Sequence, residues 1–216
     1  TAPISTIFVG GGTPTLLAAK DLVDAIAQLK DTFGFVENIE ITTEANPDSV
    51  DLEKLRTLRE GGFNRISFGM QSAVPSVLKV LERTHNPENV AKAVEMARAA
   101  GFEEINLDLI YGTPGETISD LEVSIASALA LDVDHISAYA LIVEEGTRLA
   151  RSISKNEIPH PDDDDMAEKY ELLDAFFESI GMSWYEVSNW SKPGRECHHN
   201  LHYWRTSNWW GIGPGA

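Results

Sequence analysis

The sequence predicts an α/β fold in which mostly parallel strands form a partial (β/α) barrel. Short runs of β-branched and aromatic residues alternate with amphipathic helical patterns along nearly the whole chain, at the spacing of βαβ units. The first glycine-rich turn has the sequence GGGT rather than GxGxxG, and no phosphate-loop lysine accompanies it. A dinucleotide site is therefore not expected, and the partial barrel is favoured over a doubly wound sheet.

The first predicted strand, Thr6–Val9, is an unbroken β-branched and aromatic run of the kind found in strands buried on both faces. Gly10, Gly11 and Gly12 follow it directly, and glycine permits a positive φ and a close approach of the backbone to a ligand. Thr13 then adds a hydroxyl group. Such a turn at the carboxyl end of a strand can hold a carboxylate, a phosphate or an amino-acid group. A plain tight turn is the alternative, but it would need fewer glycines.

The remaining elements are predicted from the same two kinds of pattern. Further strands are predicted at Ile39–Thr43, Arg65–Gly69, Ile105–Ile110, His135–Ile142 and Ser183–Val187. Helices are predicted at Asp21–Phe33, after the cap Asp51, at Val74–Glu82, at Pro87–Ala100, from a capping box at Ser119–Glu122 to about Leu131, and at Met166–Ile180. The residues after Val187 are rich in aromatic side chains and histidine, and they are predicted to be irregular.

Polar side chains stand at the carboxyl ends of several predicted strands. Glu44 and Gln71 follow the second and third strands, and Asp108 lies within the fourth. Because the functional residues of a (β/α) barrel lie at this end, the three side chains are expected to meet at one mouth with the glycine turn. Each has a structural alternative. Glu44 could cap a loop, Gln71 could hold a turn, and Asp108 could be a hydrogen-bonded carboxylate of the core.

Charge and composition exclude several classes of partner. The net charge of −17 argues against nucleic acid or an anionic membrane surface. The run Asp162–Asp165 is interpreted as a solvated helix start, with a divalent metal site as the weaker alternative. The single cysteine, Cys197, excludes a disulfide framework, so a cytoplasmic location is predicted, and no apolar run approaches membrane-spanning length. The chain ends within a glycine-rich motif and is expected to be a fragment of a longer protein.

Five stretches, in order along nearly the whole chain, resemble the radical S-adenosylmethionine enzymes. They are FVGGGTPTLL, ITTEANP, GFNRISFGMQS, NLDLIYGTPGE and YEVSNWSKPGRECHHNLHYW. More specifically, the sequence resembles the oxygen-independent coproporphyrinogen III oxidase family. The HNxxYW signature at His199–Trp204 is similar to that of the family's heme chaperone branch. The resemblance implies a partial barrel that holds S-adenosylmethionine across the ends of its strands.

Carried over by motif, the resemblance implies that eight residues bind S-adenosylmethionine. They are Gly11, Gly12 and Thr13 for the methionine part, Glu44 for its ammonium group, Arg83 for its carboxylate, Gln71 and Asp108 for the ribose hydroxyls, and the backbone around Ile142 for the adenine. The chemistry agrees, because a zwitterion needs one anionic and one cationic partner and a carboxylate suits a ribose diol. Arg83 does not stand at a strand end, so its assignment depends on the resemblance alone.

The family's [4Fe–4S] cluster is bound by a three-cysteine motif, which is expected upstream of Thr1. Cys197 cannot replace that motif, because a cluster needs several thiolates. The family's helical carboxy-terminal domain is likewise expected to lie outside this sequence. Two parts are therefore predicted: a barrel core at 1–182 that lacks the first strand and the cluster loop, and a segment at 183–216 with the last strand and a possible heme site.

The stretch from Trp184 onward holds all five tryptophans and three of the six histidines. The resemblance implies that His199 ligates heme iron and that Asn200, Tyr203 and Trp204 take part in the heme site, since a histidine beside aromatic surface suits iron and a flat macrocycle. Cys197 is the competing ligand. A packed aromatic loop, in which the histidines bind backbone groups, is the structural alternative.

The function implied by the resemblance is that of a heme chaperone, which binds heme and transfers it to recipient proteins. Oxidative decarboxylation of coproporphyrinogen III by a deoxyadenosyl radical is the alternative within the family. The alternative outside the family is a barrel that binds a phosphorylated metabolite at the glycine turn. It is disfavoured because no lysine lies near that turn.

Overall fold

The computed structural model describes residues 2–83 and 85–213. Its strands are β1 (Ile4–Val9), β2 (Phe35–Ala45), β3 (Arg65–Gln71), β4 (Glu104–Tyr111), β5 (His135–Ala140), β6 (Ser183–Glu186) and β7 (Asn189–Ser191). They form one sheet in the order β1-β2-β3-β4-β5-β7-β6, which curls into a half-barrel. Strands β1 to β5 are parallel to their neighbours, and β7 is antiparallel to β5 and β6. The predicted partial barrel with mostly parallel strands is confirmed.

The helices of the described residues follow the strands along the chain. They are α1 (Ala19–Phe33), α2 (Leu52–Glu60), α3 (Pro75–Val80), α4 (Pro87–Ala99), α5 (Ile118–Leu129), α6 (Arg148–Ser154), α7 (Asp163–Ser179) and α8 (His198–Trp204). The capping box predicted at Ser119–Glu122 is wrong by two residues, because the reciprocal bonds join Thr117 and Asp120. The sequence did not predict α6, α8 or β7, three elements of seven or fewer residues.

The two faces of the sheet differ in polarity. Alternate residues of a strand point to opposite faces, and on one face Ile66, Leu107 and Ile136 are fully buried in the core shared with the helices. The opposite face lines the interior of the half-barrel and carries Arg65, Ser67, Asn106, Asp108, His135 and Ser137. The interior of the half-barrel is therefore polar and can accommodate a polar ligand.

Strand β1 lies at one edge of the sheet, and its six residues are only partly buried. The prediction of a first strand buried on both faces is wrong, because β2 is the only strand that pairs with β1 among the described residues. At the other edge, β6 and β7 come from the predicted segment 183–216, of which residues 214–216 lie outside the described ones. The division of the chain at residue 183 stays a prediction.

Helix α7 begins at the aspartate run, as predicted. Asp162 caps it by accepting the backbone amide of Asp165 at 3.0 Å. One turn later, the ammonium group of the fully buried Lys169 lies 2.7 Å from Asp165 Oδ2 and 3.3 Å from Glu116 Oε2. Glu116 also accepts the amide of Gly112 at 2.8 Å, so this ion pair fixes the loop that follows β4. None of the helices described here is both long and apolar enough to cross a membrane.

Candidate functional site

The polar interior of the half-barrel contains a cavity of about 450 Å³ at the carboxyl ends of the central strands. Part of its wall consists of residues that the sequence predicts to bind S-adenosylmethionine, namely Glu44, Gln71, Asp108 and Ile142. Asn200 of α8, predicted to belong to the heme site, also lines it. The structure therefore brings together side chains from β2, β3, β4 and the loop after β5, as expected for a barrel mouth.

Glu44 lies at the end of β2 and is held by the glycine turn that follows β1. The amide of Gly11 donates to Glu44 Oε2 at 2.9 Å, and φ values of 83° at Gly11 and 57° at Gly12 shape the turn. A Cβ atom on Gly10 would lie 3.2 Å from Glu44 Cδ, so glycine leaves room for the carboxylate. Burial raises the pKa of Glu44, and the bond from Gly11 opposes that shift.

Asp108 is a partly buried carboxylate with two hydrogen-bond donors. Ser67 Oγ donates to its Oδ2 at 2.9 Å, and Asn106 Nδ2 donates to its Oδ1 at 2.7 Å. Burial raises the pKa of Asp108 to about 6, the bond from Ser67 opposes the shift, and the charge of Glu44 adds to it. Two carboxylates in one cavity create a negative potential, which favours a cationic ligand.

Gln71 ends β3 in a conformation that side chains rarely adopt, with a φ of 62°. A Cβ atom on Gly69 would lie 2.8 Å from Gln71 Nε2, so the missing side chain leaves space for the amide. Gly69 is paired with Asp108 across the sheet. The Gln71 amide therefore lies over the strand position that neighbours Asp108, and the strained backbone directs it there.

A chain of hydrogen bonds leads from Asp108 deeper into the half-barrel. Asn106 Nδ2 donates to Asp108. The other side-chain atom of Asn106, Oδ1, accepts from His135 Nδ1 at 2.6 Å. His135 Nε2 then accepts from the Tyr185 hydroxyl at 2.6 Å, which in turn accepts the amide of Cys197 at 3.2 Å. Burial lowers the pKa of His135 well below its ordinary value, so the ring is neutral. The hydrogen bonds beyond Asp108 were not expected from the sequence.

A second polar group surrounds Arg65 at the floor of the cavity. Arg65 Nη1 donates to Glu104 Oε2 at 2.6 Å, the guanidinium also donates to the carbonyl of Arg195, and Glu40 Oε2 lies 4.0 Å from Nε. Among the described residues, Arg65 Nε and the hydroxyl of Thr42 are buried without a hydrogen-bond partner. Polar residues at every second position of otherwise apolar strands were the sequence signal for both polar groups.

Helix α8 connects the two edge strands of the half-barrel. Glu40 of β2 accepts the first two amides of the helix at 2.9 and 2.8 Å, which satisfies its amino end. Thr6 Oγ1 of β1 lies 2.9 Å from His199 Nδ1, and Trp204 Nε1 donates to Glu186 Oε2 of β6 at 2.8 Å. The predicted irregular segment is therefore partly a helix, anchored at both edges and in the interior.

Comparison with known proteins identifies the family of this barrel. Residues 2–128, which hold Glu44, Gln71 and Asp108, match the model of the radical SAM superfamily. The chain belongs to the radical SAM superfamily. A solved structure agrees with this: coproporphyrinogen III oxidase (HemN) from Escherichia coli, a radical SAM enzyme, superposes with a TM-score of 0.78 at 27% identity. That match covers 88% of this chain and 44% of the other.

Curated relatives of this radical SAM chain carry the name heme chaperone HemW. The protein from Mycobacterium tuberculosis is 50% identical over 213 residues, and that from Bacillus subtilis is 42% identical over 216 residues. The matches cover 99% of this chain but 55% and 56% of those relatives, so the chain spans about half their length. The resemblance to the heme chaperone branch, predicted from the motifs, is confirmed.

Four residues predicted to bind S-adenosylmethionine in this radical SAM barrel do not line the cavity. Gly11 and Gly12 are exposed, and the amide of Gly11 reaches the cavity only through its hydrogen bond to Glu44. Thr13 precedes a 3₁₀ turn. Arg83 is exposed on the loop before α4. His85 holds this loop, because its Nε2 lies 2.9 Å from a backbone carbonyl of β3. The roles of these four residues stay predictions.

Two of the predicted heme residues, Tyr203 and Trp204, lie among exposed aromatic side chains on and after α8 of the radical SAM chain. Tyr203, Trp204, Trp209 and Trp210 are between 46% and 74% exposed, which is unusual for side chains of this size. The rings of Tyr203 and Trp209 meet edge to face with their centroids 5.4 Å apart. Burial lowers the pKa of His199, so its imidazole is neutral near pH 7.

Cys197, the predicted competitor of His199, is buried at the start of α8. Its thiol donates to Glu40 Oε1 at 3.4 Å. Burial raises the pKa of Cys197 to about 12, and the charge of Glu40 adds to the shift, so the thiol is protonated at neutral pH. Within 2–83 and 85–213, no group of three histidine, cysteine, aspartate or glutamate side chains could hold a metal ion.

Proposed function

We propose that this chain is the barrel of a heme chaperone, which binds S-adenosylmethionine in the cavity and heme on α8. The full-length protein then transfers the heme to recipient proteins. The observation that carries the proposal is α8 itself, which presents His199 beside the exposed rings of Tyr203 and Trp204 and is anchored by Glu40. The curated relatives named heme chaperone support it.

Family membership implies S-adenosylmethionine, and the residues of the cavity fit it. Burial raises the pKa values of Glu44 and Asp108, and a ligand with positive ammonium and sulfonium groups offsets the charge of both carboxylates. Asp108, oriented by Ser67 and Asn106, is suited to accept the hydroxyls of a ribose. Ile142, 75% exposed at the rim, offers a flat base an apolar neighbour.

The same residues do not fit a [4Fe–4S] cluster. Such a cluster is bound by several thiolates, and the sequence contains a single cysteine. That cysteine, Cys197, is buried against Glu40 with a pKa of about 12. Any cluster of the full-length protein must therefore take its ligands from outside this sequence, and heme binding at α8 needs none of them.

Heme is the cargo in this proposal, and α8 offers what it needs. A neutral imidazole has a lone pair for iron, and His199 is the residue of the signature whose ring is neutral by burial. The exposed rings of Tyr203, Trp204, Trp209 and Trp210 can cover an apolar macrocycle. The protonated thiol of Cys197 is a poor competitor.

Coproporphyrinogen III oxidation is the second candidate, favoured by the similarity to HemN. The position of α8 weighs against it. Cys197 and Asn200 line the cavity, so the start of α8 closes off part of the interior in which a macrocycle would react.

The third candidate, a phosphate ligand at the glycine turn, is opposed by the negative charge of Glu44, which accepts the amide of Gly11 in that turn. Lys54, which is distant in sequence but close to the turn in the fold, already donates to the carbonyls of Thr15 and Ser49.

The proposal is tested by titrating full-length protein with hemin while the Soret band is recorded. His199→Ala should lower heme affinity and shift the band, whereas Cys197→Ser should change neither, because the thiol is protonated. The reverse result would move the ligand to the cysteine, and no effect of either variant would exclude α8 as the heme site. In a parallel anaerobic assay, sustained formation of protoporphyrinogen would favour the oxidase instead.

A further inference from the structure

Both ring nitrogens of His199 are occupied by hydroxyl groups of the protein itself. Nδ1 lies 2.9 Å from Thr6 Oγ1 of β1, and Nε2 lies 3.0 Å from the hydroxyl of Tyr203, one turn further along α8. The Tyr203 ring meets the imidazole at 90° with centroids 5.0 Å apart, and Phe8 stacks on the imidazole at 5.5 Å. The ring is therefore held in one orientation, and neither nitrogen is free.

The surroundings of the two nitrogens differ. The contact with Thr6 is partly buried between β1 and α8, whereas the contact with Tyr203 is exposed to solvent. Tyr203 is itself 46% exposed, and it lies four residues after His199 on the same face of the helix. A change of the Tyr203 side-chain rotamer would therefore uncover Nε2 while α8 stays folded.

We propose, on the basis of the proposed heme function, that Tyr203 is a removable cap on the iron-binding nitrogen of His199. In this arrangement Nδ1–H donates to Thr6, and the lone pair of Nε2 accepts the Tyr203 hydroxyl. Metal-binding histidines commonly donate their second N–H to a neighbouring acceptor in this way, which fixes the tautomer. Heme iron and the Tyr203 hydroxyl then compete for the same lone pair.

The competition sets how tightly the cargo is held. A single exposed hydrogen bond between neutral groups is weak, so removing the Tyr203 hydroxyl should tighten heme binding about threefold to tenfold. A carrier must also release its cargo, and a hydroxyl that returns to Nε2 as iron leaves favours release. Tyr203 is thus a positioning residue for His199 rather than an iron ligand.

The test compares five forms of the full-length protein: the wild type, Tyr203→Phe, His199→Ala, the double variant and Tyr170→Phe. Tyr170 is the matched control, because its ring packs against Trp190, away from α8. Hemin titrations give the affinities, and transfer to apomyoglobin gives the release rate. In heme-free protein, ¹⁵N spectra of the histidine side chains report the tautomer and the environment of Nε2. Thermal unfolding checks that each variant folds.

Tyr203→Phe should bind heme about threefold to tenfold more tightly, release it more slowly and shift only the Nε2 resonance of His199. The gain should vanish in the double variant, as expected for two groups that act on one another. Unchanged or weaker binding by Tyr203→Phe, while His199→Ala still loses heme, would overturn the cap and leave the proposed function standing. Full binding by His199→Ala would overturn both.

Discussion

Replacing Asp108 by asparagine should stabilise the protein at neutral pH while it weakens ligand binding. The folded-state pKa of Asp108 is about 6, against an ordinary value of 3.8, so the folded protein holds this proton more tightly than the unfolded chain does. The ionised carboxylate therefore destabilises the fold. This effect grows as the pH rises from about 4 to 6 and is constant above about 7.

The magnitude follows from the shift of about two pKa units. At about 1.4 kcal/mol per unit, the ionised carboxylate costs about 3 kcal/mol above pH 7 and roughly half of that at pH 5. Asparagine removes the charge, and its oxygen can still accept from Asn106 while its amide donates to Ser67. Imperfect geometry of these two bonds offsets part of the gain, so a net stabilisation of about 1–2 kcal/mol is expected at pH 7–8.

Urea unfolding of the wild type and Asp108→Asn between pH 4.5 and 8 measures this effect. The difference in free energy of unfolding should grow with pH and reach a plateau, and calorimetry should show S-adenosylmethionine binding weakened by about 1–3 kcal/mol. The exposed Asp31→Asn serves as the control and should change neither quantity. A stability difference that is the same at every pH would refute the buried-charge reasoning, and unchanged binding would refute the assignment of Asp108 to the ligand.

Two further substitutions test the contacts that hold the site. Glu40→Gln leaves one acceptor oxygen for the two amides at the start of α8. It should therefore lower the free energy of unfolding by about 1–3 kcal/mol and weaken heme binding. The control Glu37→Gln, at an exposed position of the same strand, should do neither. Equal effects of both variants would contradict the role of Glu40. Lys169→Met leaves Glu116 buried without its cation and should destabilise by about 3–5 kcal/mol in urea unfolding, and adding Glu116→Gln should restore part of the loss. A double variant no more stable than Lys169→Met alone would contradict the conclusion that the buried charge of Glu116 causes the loss.

The sequence predicts the barrel well because its apolar and polar patterns are long. The strand at Arg65–Gly69 and the helix at Pro87–Ala100 agree with β3 and α4 to within two residues, since each carries enough positions to reveal its period. Elements such as α8 and β7 are short and were not predicted from their local pattern. They depend on contacts made far away in the chain, including the bonds from Glu40, which no local pattern contains.

The candidate site was predictable where the chain itself marks the ends of strands. Glu44 and Gln71 directly follow predicted strands, Asp108 stands inside an apolar run, and all three line the cavity. Arg65 and His135 begin β3 and β5, and they were missed because a polar residue at every second position of a strand looks like an ordinary half-exposed sheet. Only the curvature of the sheet turns that face into an enclosed interior.

The bonds between Glu40 and α8 join positions up to 159 residues apart, which has consequences for how the chain folds. Strands β1 to β5 and the helices between them are synthesised first, and each strand can bury its apolar face on helices close to it in sequence. The interior face is polar, so water can solvate it until α8 arrives. The half-barrel without α8 therefore exposes little apolar surface while the chain is still being synthesised. In the finished protein, α8 can open as a local unit, at a lower free energy than unfolding of the core.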